Sequence, residues 1–376
     1  MSEIDQQNQE AADESTSWSE YPFLLLKGFL MGSADIVPGV SGGTMALIVG
    51  IYSRLIDAIK SFDITFFKRF VTFKFKLALQ AVHWRFMVML LTGAFCAIFF
   101  FTKVVPLQIY MFTDPELIFG LFFGLIVGSI FVLGKAIEGF NWIHGLMIVL
   151  GAGIGFWVVT LVPADTPESP LFVFLSGSIA ICAMILPGIS GSYLLLILRK
   201  YDFILSQIGQ VGGAETGSAL LTLLPFVVGA AVGLALFSRL LSWLLHRYEA
   251  KTLAVLIGFL IGSLYVIWPY QDRTYQEIIT KQEVVAYSSQ QAVELRENPP
   301  SENRPEFKRL GDIVEAQNGT KSVEVLTVKK KLIKSNPYVP YATVEEAGTD
   351  HLWDGIIGIF IGLIMVIGLD YLRSET

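Results

Sequence analysis

The chain has 376 residues, of which 53% are hydrophobic and 16% charged, with a formal net charge of −6 and a mean hydropathy of +0.59. That much apolar side chain excludes a water-soluble globule with one core, and several runs reach the ~20 apolar residues of a spanning helix. The weak negative charge offers nothing to a nucleic-acid partner.

Residues 1–21 are acidic and polar (Glu3, Asp5, Glu10, Asp13, Glu14) and read as a disordered cytoplasmic tail. No basic stretch leads into an apolar run there, so no cleaved signal peptide is expected. Two stretches, about 22–59 and 171–206, are apolar but broken. The first holds Pro38-Gly39-Val40-Ser41-Gly42-Gly43-Thr44 and the second Pro187-Gly188-Ile189-Ser190-Gly191-Ser192-Tyr193. Proline and glycine interrupt a helix and free backbone N–H and C=O groups that hydrocarbon cannot satisfy. Pro38, Gly39, Pro187 and Gly188 are therefore read as helix breaks that line a cavity. Unbroken spans are expected near 86–105, 117–134, 142–162, 219–241, 253–269 and 352–371.

Loop charge orients these segments. Between Lys60 and Arg85 lie Lys68, Arg69, Lys74 and Lys76 against the single acid Asp63, so this loop is cytoplasmic. Counting spans outward, 163–170 and 207–218 both fall outside, and both lack Lys and Arg. The second broken stretch then enters and leaves on the same face, as a re-entrant hairpin. By analogy the first is a hairpin opening from the cytoplasm, with both chain termini inside; a crossing there would instead put the N-terminus outside, which an acidic tail allows. Cys96 and Cys182 read as small buried residues, and the four histidines as interfacial. No metal, dinucleotide or P-loop signature is present, so no metal and no cofactor is expected.

The two halves resemble each other beyond the motif. Tyr52 matches Tyr201 at the offset that separates Pro38 from Pro187 (201 − 52 = 187 − 38 = 149). Gly93, Phe101 and Lys103 match Gly229, Phe237 and Arg239 at a second offset (239 − 103 = 136). Gly124, Gly128 and Ser129 match Gly258, Gly262 and Ser263 at a third (263 − 129 = 134). The expected fold is an all-α polytopic membrane protein with an inverted-topology repeat: two re-entrant broken-helix hairpins and about six spans. A first repeat covers 22–135, a connecting span 136–170, the inverted repeat 171–270 and a last span 351–376. Residues 271–350 form an extracytoplasmic insert, α/β or β-containing, because Ser322 to Val328 alternates apolar and polar residues.

Met31 to Thr44 with Gly50 to Ile56, and Ile185 to Tyr193 with the leucines that follow, resemble the two signatures of the bacterial polyprenyl-phosphate transporters, the PopT-like family. The resemblance implies translocation of undecaprenyl phosphate from the outer to the inner leaflet of the cytoplasmic membrane. It makes the chain a transporter and not an enzyme. Two departures stand out: Arg199-Lys200 precedes Tyr201 where a glycine is expected, and 271–350 exceeds a plain loop.

Ser41, Gly42, Gly43 and Thr44, with Ser190, Gly191 and Ser192, sit where half-helices restart. Their N–H groups and hydroxyls suit a phosphate, or else small residues pack a kink. Arg54 and Arg199 follow their motifs and either reach the phosphate with a fork of donors or snorkel to the interface. Lys103 and Arg239 end equivalent helices as snorkelling residues or as vestibule charges that gather anionic lipid. Asp35 is matched by Met184 (35 + 149), so the acid breaks the symmetry. It is read as a proton-coupling group or as a cap on the broken helix. The partners implied are the lipid phosphate, membrane lipid, protons as coupling ion and cell-wall machinery at the insert. A small-anion carrier and, behind it, a lipid-pyrophosphate phosphatase are the alternatives.

Overall fold

The computed structural model describes residues 18–37, 40–163, 166–213, 216–302, 304–315, 321–340 and 350–374. Most of the expected N-terminal tail and the breaks at Pro38 and Gly39 lie outside the described residues. The chain is a mostly helical polytopic membrane protein with one small antiparallel sheet. Contacts divide it into two units, Met1–Val105, Phe122–Ile267 and Ile361–Thr376 in one, Pro106–Leu121 and Trp268–Phe360 in the other.

In the first unit both motifs are flanked by short helices with the same spacing. Helices α1 (Tyr21–Ile36), α2 (Gly42–Ile48) and α3 (Tyr52–Lys60) precede the basic loop. That loop is not featureless: it forms α4 (Ile64–Val71), started by Asp63 accepting from the Phe66 N–H, and α5 (Phe75–Gln80). Phe67, Phe70, Phe73 and Phe75 are exposed beside the basic residues. Helix α6 (Trp84–Phe99) runs into a π-helical turn, Phe100–Val104. Helix α7 (Leu107–Thr113) and the start of α8 (Pro115–Ala136) belong to the second unit, and the rest of α8 and α9 (Trp142–Val159) to the first.

The broken pattern then returns as α10 (Pro170–Ile185), α11 (Gly191–Ile197) and α12 (Tyr201–Gln210). The starts of these three helices follow those of α1, α2 and α3 at one common offset (170 − 21 = 191 − 42 = 201 − 52 = 149). Helices α13 (Thr216–Arg247) and α14 (Glu249–Ile267) complete the unit's long helices. Among the described residues five helices are long and apolar enough to cross a membrane: Trp84–Val104, α8, α9, α13 and α14. The expected sixth span lies in α16 (Asp350–Ser374), whose apolar stretch Leu352–Gly368 is shorter. The outer surfaces stay apolar: Leu221 is 72% exposed and Phe95 67%, which only lipid can cover. Cys96 is exposed on that surface rather than buried, because α6 packs through its glycine face instead.

Lipid gives helices no hydrophobic drive to associate, so close backbone contact holds them together. A Cβ at Gly28 would lie 2.1 Å from the Leu90 carbonyl, and one at Gly93 2.2 Å from that of Leu25, which brings α1 against α6. Gly177 and Gly229 do the same for α10 and α13, at 2.3 Å from Phe226 and 2.0 Å from Phe174. These contacts repeat at the offsets already seen in the sequence (177 − 28 = 149 and 229 − 93 = 136). Gly151 and Gly258 bring α9 against α14.

The second unit carries β1 (Gln271–Ala286), α15 (Gln290–Glu297), β2 (Glu306–Glu315) and β3 (Lys321–Pro337) in an antiparallel sheet of order β1-β3-β2. The alternating stretch from Ser322 lies in β3, where Val323, Val325 and Val328 are buried. Phe307 pairs with Val328 in the register and closes the same small core.

Candidate functional site

A broken helix leaves the carbonyls of its last turn without partners. At the end of α10 the first motif supplies them. The Ser41 hydroxyl donates to the Met184 carbonyl at 3.1 Å, and the Tyr52 hydroxyl to that of Ile185 at 3.1 Å. In return the Gly188 N–H donates to Thr44 Oγ1 at 2.8 Å. Gly43 is glycine for the same reason: a Cβ there would sit 2.5 Å from the Ile185 carbonyl oxygen. Two motifs far apart in the chain therefore meet, and side chains of the first half satisfy backbone that the second leaves open.

The restart of α2 is capped twice. Asp35 Oδ1 accepts from the Gly42 N–H at 2.6 Å, and Ser41 Oγ from the Gly43 N–H at 3.2 Å. Ser41 and Thr44 are buried, whereas Asp35 is exposed. The second motif is arranged differently. Ser190 precedes α11 without capping it, and its hydroxyl lies 2.9 Å from that of Ser192, which is exposed. Gly191 is pressed to the Ala180 carbonyl, where a Cβ would be 2.4 Å away. Gly188 takes a φ of +80°, the left-handed region that follows Pro187 in the break. Of the candidate phosphate-binding residues, the hydroxyls of the first motif are turned onto protein backbone. Those of the second meet each other at an accessible position.

The arginines are placed apart in kind. Arg54 pairs with Glu20 at 3.0 Å and lies 4.7 Å over the Phe86 ring. Arg199 is exposed and has φ +50°; its counterpart in the first half (199 − 149) is Gly50, with φ +71°. The missing glycine of the second motif is thus replaced without a change of backbone. A side chain in that region costs about 1–2 kcal/mol. Arg199→Gly is expected to raise the unfolding temperature in detergent by a gain of about 1 kcal/mol, and Arg199→Val to lower it. Lys103 falls in the π-helical turn, and Arg239 donates to the Ala235 carbonyl of its own helix at 2.6 Å.

Two features escape sequence reasoning. Lys200 is only 2% exposed, and its ammonium donates to the Thr166 carbonyl at 2.9 Å with the Phe172 and Phe203 rings 5.7 and 5.5 Å away. The signal was a lysine where the first half has Ile51 (200 − 149). The second is a polar tie between α3 and α13. The Ser242 hydroxyl donates to Asp57 Oδ1 at 2.7 Å and accepts from Lys60 Nζ at 3.1 Å, and His246 lies 3.7 Å from Asp57 Oδ2. The matching positions in α12 are Ser206 (57 + 149) and Gly209 (60 + 149), so α12 does not repeat the acid and the lysine of this tie.

Comparison with known families assigns residues 31–285, both motifs included, to the undecaprenyl phosphate translocase-like model. The chain belongs to the undecaprenyl phosphate translocase-like family. It is 38% identical over 247 residues to the polyprenyl-phosphate transporter of Vibrio cholerae, covering 66% of this chain and 77% of that one. It is 30% identical over 258 residues to the polyprenyl-phosphate transporter of Staphylococcus aureus, covering 65% and 85%. No solved structure matches the chain. The family match ends at residue 285, inside β1, so α15, β2 and β3 lie beyond it.

Proposed function

We propose that the protein moves undecaprenyl phosphate from the outer to the cytoplasmic leaflet of the bacterial cytoplasmic membrane, returning a lipid carrier to cell-wall synthesis. The observation that carries this reading is the meeting of two interrupted helices at Ser41, Thr44, Met184 and Gly188. Broken backbone is tolerated at membrane depth only where it lines a protein or water cavity, and transporters place such breaks at the substrate site. In this reading α1–α3 and α10–α12 are re-entrant hairpins entering from opposite faces. The recurring helix starts and the recurring glycine contacts support a duplicated unit, and the single span α9 inverts the second copy. Lys60 and Ser242 in contact agree with the loop charges, which put both helix ends in the cytoplasm.

The phosphate group would first meet Ser190 and Ser192, and then exchange places with the hydroxyl–carbonyl bonds of the first motif. Inward movement works against the membrane potential. A monophosphate carries about −1.5 to −2 charges, so a potential of order 100 mV makes the step uphill by ~3–5 kcal/mol. Protonation or a cotransported proton offsets that cost, and Asp35, exposed beside the restart of α2, is the group we assign to it. Residues 271–350 face outside and offer a surface to cell-wall machinery.

The test is reconstitution with labelled undecaprenyl phosphate, scoring leaflet exchange with and without a pH gradient. The double variant Ser41→Ala with Thr44→Ala is expected to insert normally and lose flux. Asp35→Asn is expected to flatten the pH dependence. Full flux in the double variant at equal protein level refutes the site, and unchanged pH dependence in Asp35→Asn refutes the coupling role.

A further inference from the structure

Beside the second break lies a cavity of about 630 Å³. Its body is lined by Leu186, Phe237, Leu240, Leu244 and Phe259, and its other end by Tyr248 and Lys251. Leu186 directly precedes Pro187, and the Phe259 carbonyl is the atom a Cβ on Gly188 would strike at 2.7 Å. The cavity therefore starts at the interrupted backbone. It ends at the junction of α13 and α14, where Lys251 is exposed and lies 5.7 Å from the Tyr248 ring centre. Arg247 and Glu249 are the other charged residues of that junction, so with Lys251 its balance is basic.

We infer that this cavity holds the isoprenoid chain of the lipid after it has crossed, with the phosphate at Lys251 and Tyr248. The inference rests on the polyprenyl-phosphate reading and extends it from the head group to the chain. An apolar body with one cationic, hydroxyl-bearing mouth matches a lipid with an anionic head and one long hydrocarbon chain. An apolar cavity of ~150 Å³ accepts benzene; at the same density, 630 Å³ accepts about 25 carbon atoms. That is more than one straight acyl chain requires and suits several branched isoprene units, with the rest of the chain in the bilayer. Lys251 and Phe259 are two helical turns apart on α14, about 12 Å along the axis, so a phosphate at the mouth sends its chain toward the break.

Retention of labelled undecaprenyl phosphate by the purified full-length protein tests this, with geranyl phosphate and a dioleoyl phosphatidic acid as competitors. Wild type should bind the long chain more tightly than the short one. Leu240→Trp, at a half-exposed position on the cavity wall, should reduce long-chain binding about tenfold and leave geranyl phosphate unchanged. Lys251→Glu should weaken both. A Leu240→Trp protein that keeps the chain-length preference overturns the inference. So does phosphatidic acid competing as well as undecaprenyl phosphate, which would make the cavity an ordinary phospholipid site. Flux in wild-type vesicles is scored separately: its absence sinks the transport reading, while the chain-length comparison still decides the cavity.

Discussion

Gly43→Val is expected to abolish lipid transport and to lower thermal stability. The new side chain would start 2.5 Å from the Ile185 carbonyl oxygen and 3.1 Å from that of Met184. Neither is the mobile end of a flexible side chain, so the backbones must separate. Overpacking of this kind costs about 1–3 kcal/mol. Separation also strains the Ser41, Tyr52 and Thr44 hydrogen bonds, and a buried polar group left alone costs about 1–3 kcal/mol more. A combined loss of about 3 kcal/mol should appear as a clear fall in unfolding temperature in detergent, with flux at the level of empty vesicles. Gly134→Val is the control, because nothing lies within 4 Å of a Cβ there. Equal behaviour of the two variants would mean that contact between the motifs does not matter.

Lys200→Met should do the opposite to stability and the same to transport. Taking an ammonium out of water is costly, and here the recompense is one carbonyl at 2.9 Å and two aromatic faces. A methionine of similar length fills the same space without that cost. Replacing buried charge with apolar side chain often stabilises by about 1–4 kcal/mol, although the Thr166 carbonyl then loses its donor. A buried charge kept against a better-packing alternative marks a functional site. The expected result is a protein that unfolds at a higher temperature and carries little lipid. A Lys200→Met protein with wild-type flux would reduce Lys200 to a structural link between residues 166 and 200.

The sequence made the interrupted helices legible because their cause is local. Proline, glycine and their spacing suffice to find the break at Pro187, and one shared offset links the helix starts of the two copies (191 − 42 = 201 − 52). The five long spans and the strand from Ser322 are legible for the same reason, as periodicity and run length. What stayed hidden depends on distant residues meeting. Pattern alone shows that Met184 and Ile185 need hydrogen-bond donors, but not that Ser41 and Tyr52 provide them from the other half. Asp57 and Ser242 lie in opposite halves of the chain, and neither is unusual in its own surroundings. Arg199 hides another way: it holds the backbone of Gly50 while lacking glycine's signature. The helices α4 and α5 are illegible in sequence because, at 8 and 6 residues, they are too short to show a helical period.

The hydroxyls of Ser41, Thr44 and Tyr52 all end on main-chain atoms of the opposite arm. Any group that takes those hydroxyls as partners must first break bonds that join the two arms, so the interrupted helices of the two halves are held as one latch and not as two independent elements.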